Sequence, residues 1–136
     1  MANEVYSDKV SVNINTSTLS QIDMLVDGGY YSNRSDFINQ AVREKLQAQS
    51  DVLARLIRAE EAEVEDNKWF LGVQSLSGDE LRKLKDAGRT MTVKGYGLLI
   101  IPAAIPEELL YETVECISVK GRVNCSAAVR AHYGIK

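Results

Sequence analysis

Lys9, Ser11 and Asn13 stand on one side of the alternating segment Lys9-Val10-Ser11-Val12-Asn13-Ile14, and Val10, Val12 and Ile14 stand on the other. An ammonium, a hydroxyl and a carboxamide in a row offer hydrogen bonds to a partner surface. The alternation predicts one short strand with a fully polar outer face. Such a strand cannot stand alone, because its backbone groups need a partner and the next two segments of the chain read as helices. The simplest partner is the same strand of a second copy. A two-stranded antiparallel ribbon of that size fits the major groove of DNA.

Other reactive side chains are sparse. His132 is the only histidine, which excludes a histidine-based triad or a multi-histidine metal site within one chain. Cys116, Cys125 and His132 could in principle ligate zinc, but they lack the paired-cysteine spacing of structural sites. Buried thiols and a surface histidine are the expected reading. Gly95-Tyr96-Gly97 lacks the third glycine of a dinucleotide loop. Glu107, Glu108, Glu112 and Glu115 read as the solvated face of a helix rather than as paired acid–base catalysts. No enzymatic activity, cofactor or metal is expected.

Two helices must position the strand. Thr16 or Ser17 can cap the first, whose stripe is Leu19, Ile22, Leu25 and Val26. Gly28 and Gly29 then supply the positive φ of a helix end. After Tyr30 and Tyr31, either Ser32 or Asn33 can cap a second helix, with Asp36 near the positive end of its dipole. Phe37, Ile38, Ala41, Val42 and Leu46 continue its apolar stripe. So small a unit buries too little surface by itself, and two intertwined copies double the core. The expected dimer core is Val10, Val12, Ile14, Phe37 and Ile38.

Residues 9–46 resemble the ribbon-helix-helix family of CopG, Arc, MetJ and nickel-responsive repressors. The resemblance rests on Lys9 to Ile14, Ile22-Asp23, Gly29-Tyr30, Asn33-Arg34-Ser35-Asp36-Phe37-Ile38 and Ala41-Val42. It implies that Lys9, Ser11 and Asn13 of both strands point into the major groove. Asn can bond adenine N6 and N7, Lys can donate to guanine O6 and N7, and Ser can contact either. It also implies that Ser32, Asn33, Arg34 and Ser35 clamp a backbone phosphate with free N–H groups and the helix dipole. The histidine-rich C-terminal domain of the nickel-responsive relatives has no counterpart here.

Charge qualifies that reading. The 136-residue chain carries a net charge of −3. Residues 1–50 hold Lys9, Arg34, Arg43 and Lys45 against Glu4, Asp8, Asp23, Asp27, Asp36 and Glu44. Phosphate neutralisation dominates non-specific affinity, so random DNA should bind weakly. Several dimers on adjacent sites, or a co-binder, would supply what one head lacks. With a 45% hydrophobic fraction, no bilayer-length apolar run and no signal-peptide pattern at its start, the chain is expected to be a cytoplasmic protein with reduced thiols.

From Leu46 to Phe70 helix formers dominate, and the second helix either runs on or restarts at Ser50-Asp51. Leu53, Leu56, Ile57 and Val64 keep its stripe, and Glu60, Glu61, Glu63, Glu65 and Asp66 make its end an acidic, solvated linker. Ser77 to Glu80 has the spacing of a capping box for a helix closed by Gly88. An apolar β run over Tyr96 to Ile101 stops at Pro102, a helix opens near Pro106, a strand spans Ile117 to Val123, and a helix begins at Ser126. Ser118-Val119-Lys120-Gly121 echoes Thr92-Val93-Lys94-Gly95, and Ser126-Ala127-Ala128-Val129 echoes Pro102-Ala103-Ala104-Ile105. The echo fits either two solenoid-like strand–helix rungs or coincidence in a small α+β domain.

The expected protein is therefore α+β. Residues 1–48 form the ribbon-helix-helix head, 49–75 a helical linker, and 76–136 a small domain for oligomerisation or partner binding. Its expected function is that of a homodimeric DNA-binding regulator, a repressor. One rival is an antitoxin whose C-terminal part neutralises a toxin. Another is an assembly protein that uses the ribbon only to dimerise.

Overall fold

The carboxamide of Asn15 accepts a hydrogen bond from the Ser17 N–H at 2.8 Å and so caps the first helix, α1 (Thr16–Asp27). The expected caps Thr16 and Ser17 lie inside the first turn instead, because the extended backbone at Asn15 already aims its side chain at the free amide. The computed structural model describes residues 6–62 and 67–136. At the end of α1 Gly28 is still right-handed, and Gly29, at φ 85°, supplies the turn that returns the Tyr30 N–H to the Leu25 carbonyl. Then come α2 (Arg34–Ala48) and, after the single residue Gln49, α3 (Ser50–Ala62). The second helix thus restarts at Ser50.

Two compact units divide the chain, Met1–Ile57 and Arg58–Lys136. Within the first, Ile22 is the one fully buried apolar side chain among the described residues. Ile14, Phe37 and Ile38 are half-buried, whereas Val10 is 79% and Val12 66% exposed. Residues 6–15 carry no regular secondary structure in the single chain, so the strand expected over 9–14 is not formed there. The physical reason is the one that predicted a dimer: a strand exists only when another strand takes its hydrogen bonds.

The second unit is built from strand–helix pairs. β1 (Asn67–Ser75), α4 (Gly78–Asp86), β2 (Met91–Ile100), α5 (Glu107–Thr113), β3 (Val114–Asn124) and α6 (Ala127–Tyr133) succeed one another along the chain. The three strands pair parallel in the order β1-β2-β3. The chain is mixed helix and strand, as expected, but the helical linker expected over 49–75 holds only for Ser50–Ala62. Asn67–Ser75 is a strand instead. Glu63, Val64, Glu65 and Asp66 of the expected acidic linker lie outside the described residues.

Alternation along the strands sorts their side chains. Phe70, Val93, Leu99, Ile117 and Val123 share one core with Leu81 of α4, Leu109 and Leu110 of α5, and Val129 of α6. The helices therefore cover one face of the sheet. On the opposite face Leu71, Val73 and Tyr96 are exposed. Gly72, Gly97 and Gly121 lie side by side across the three strands, all at positive φ. A Cβ on Gly97 would stand 2.0 Å from the Gly72 carbonyl oxygen, and one on Gly121 equally close to that of Gly97. Only glycine fits that row.

The two echoing stretches fall within three successive strand–helix pairs. Ser126 to Val129 keeps the structural register of Pro102 to Ile105, because Ile100 pairs with Asn124. The Val-Lys-Gly echo is two residues out of register, since Lys94 lies beside Ser118 and Gly97 beside Gly121. The expected capping box at Ser77 is not formed: Ser77 makes no side-chain cap bond, and both Glu80 carboxylate oxygens accept from the Lys68 ammonium at 2.7 and 2.8 Å.

Candidate nucleic-acid interface

Lys9, Ser11 and Asn13 are all exposed, as readers of another surface must be. The apolar partners that would turn them outward, Val10 and Val12, are exposed as well, so nothing in the single chain fixes the orientation of the row. A second strand would do so by covering the valine side.

The opening of α2 is better defined. The Asn33 side chain accepts from the Asp36 N–H at 2.8 Å, which settles the choice between Ser32 and Asn33 as the cap. Asp36 reaches back to accept from the Ser32 N–H at 3.0 Å, and its other oxygen accepts from Gln40 at 3.0 Å. The Ser32 amide, with help from Gln40, holds the Asp36 carboxyl below its usual range. Arg34 and Ser35 open the helix, and their amides have no carbonyl one turn earlier to bond. Those donors and the helix dipole suit an anion, but Asp36 already places one there.

Arg34 is engaged too. Its Nε and Nη2 donate to the two oxygens of Asp23, on α1, at 2.7 and 2.8 Å, a bidentate pair on the surface. This hydrogen-bonded contact holds the Asp23 carboxyl low and pushes the Arg34 guanidinium up. Asp23 was legible in the sequence only as part of the Ile22-Asp23 pattern; its role as the arginine's partner comes from the packing of α1 on α2. Tyr31 and Phe37 add an edge-to-face contact at 4.9 Å under the same turn. The structure thus brings Ser32, Asn33, Arg34, Ser35 and Asp36 together around one helix start.

The C-terminal candidates do not assemble. His132 stacks on Tyr111 at 3.7 Å between ring centroids, Cys116 is exposed and Cys125 is half-buried. Among the described residues no three His, Cys, Asp or Glu side chains are grouped to hold a metal ion. Also among the described residues, no helix is long and apolar enough to cross a membrane.

In comparison with known proteins, the family described as ribbon-helix-helix transcriptional regulators matches residues 5–130. No curated protein and no solved structure matches the chain.

Proposed function

The chain belongs to the ribbon-helix-helix transcriptional regulator family, whose members bind DNA and dimerise, and we propose that it is a sequence-specific repressor. In this reading two copies pair their 9–14 segments into a ribbon, and Lys9, Ser11 and Asn13 of each enter the major groove. The observation that carries it is the exposure of Val10 and Val12 in a unit whose described residues include one buried side chain, a surface that asks for a second copy. The helix opening at Ser32 to Ser35 positions the head on the phosphate backbone. The second unit serves oligomerisation or partner binding, supported by the exposed Leu71, Val73 and Tyr96 on a parallel sheet, a type normally covered on both faces.

The test begins with DNA fragments selected by the protein from its own genome and mapped by footprinting. Asn13→Ala should cost about 1–3 kcal/mol on the selected site and relax preference at one base pair per half-site. Equal loss on selected and random DNA would contradict base reading by this segment.

A further inference from the structure

Leu46, Gln49, Leu53 and Leu56 succeed one another along α2 and α3 at alternating spacings of three and four residues. That is the spacing of a seam along which one helix packs on another. Gln49 separates the two helices, yet the Leu53 N–H bonds to its carbonyl at 2.9 Å, so the stripe carries across the break. Leu46 is 55%, Leu53 37% and Leu56 60% exposed, and a groove lined in part by Leu46, Leu53 and Ile57 runs alongside. We propose that the dimer contact continues past the head along this seam, with residues 46–56 of one copy packed on the same stretch of a second copy.

The second copy is the occupant for three reasons. First, α2 is a helix of the family's dimerising head and α3 resumes one residue after it, so every dimer carries two identical seams that start at its own interface. Secondly, the positions that flank the stripe, Lys45, Ser50, Val52 and Ile57, carry a single charge between them, which selects neither a strongly acidic nor a strongly basic partner and suits a copy of itself. Thirdly, the seam has an end: at its next position Glu60 carries charge and meets the Lys94 ammonium at 3.3 Å. Gln49 occupies a position where a polar side chain sets register at a cost in affinity. The inference rests on the dimeric head of the proposed function.

Sedimentation equilibrium of the full-length protein tests it, with Val12→Asp as the separate probe of the head. Leu53→Glu and Leu56→Glu should each weaken the dimer by about tenfold or more. Gln49→Leu should tighten it, and because it only adds an apolar side chain to an exposed position it guards against variants that fail for lack of folding. If Val12→Asp dissociates the dimer while Leu53→Glu and Gln49→Leu leave its constant unchanged, the seam is overturned and the head reading stands. If the seam variants shift the constant and Val12→Asp does not, the seam stands and the ribbon fails as the dimer contact. No shift from any variant overturns the seam as well.

Discussion

Arg34 is held by Asp23 before any DNA is present, and Asp36 sits on the helix start that the phosphate would use. A phosphate approaching this corner would have to share donors with two resident carboxylates, a second reason besides net charge to expect weak binding to random sequence. Asp23→Asn loosens the grip on Arg34 and should steepen the salt dependence of DNA binding by about one unit of slope, if the freed guanidinium reaches phosphate. Titrations at several salt concentrations read this directly, and an unchanged slope would leave Arg34 as a brace between α1 and α2. Acid should act on the same corner. Both carboxyls titrate below the ordinary Asp value of 3.8, so the stability they contribute is complete above that pH and is lost as pH falls through their lowered values. Tyr133 has the opposite sign: burial pushes its hydroxyl from 10.0 up to about 12, and that hydroxyl donates to the Val114 carbonyl at 2.7 Å. The second unit should lose stability as pH rises from about 10 toward 12. Thermal unfolding across pH would show the two units failing at opposite ends.

At the level of elements, the glycine row gives the sharpest contrast. Gly97→Ala forces a methyl into the Gly72 backbone at φ 125° and should cost about 3 kcal/mol or more. Gly88→Ala, at φ 66° with nothing within 4 Å, should cost only about 1–2 kcal/mol. Denaturant unfolding of both variants checks the difference. The head was legible because its signals are local: a glycine pair ends α1, and Asn33 with Asp36 opens α2. β1 was not. Trp69, Phe70 and Leu71 are apolar on both faces of the strand, since Leu71 faces away from the helices while Phe70 faces the core, so no alternation distinguishes them from a helix end. Ser77 to Glu80 misled for a related reason: the spacing of a cap says nothing of Lys68, which arrives from the preceding strand, β1. The three-strand register was half visible, because one echo matches the pairing and the other is displaced from it. At the candidate interface the residues could be named from sequence, but Asp23 as the partner of Arg34 could not, since helix packing alone brings them together.

For the whole molecule, the two units differ in what they need. Among the described residues, fourteen buried side chains make one core in the second unit, whereas the first has Ile22. Unfolding should therefore show two steps, one that moves with protein concentration and one that does not. Circular dichroism over a wide dilution range would show it, and a single concentration-independent step would contradict it. The exposed sheet face belongs to this scale as well. Leu71→Glu together with Val73→Glu should leave a dimer but reduce cooperativity on DNA carrying tandem sites, where linked dimers gain roughly 10²-fold from effective concentration. Superimposed binding curves for the variant and the parent would remove this face from any role in assembly. The bare head has one more consequence. A protein whose reading surface forms only on pairing responds to its own abundance: a newly made chain would carry a finished tail and an unfinished head until enough copies accumulate. If such a regulator acts on its own promoter, repression would set in as a threshold in the number of copies, with the exposed valines fixing where that threshold lies.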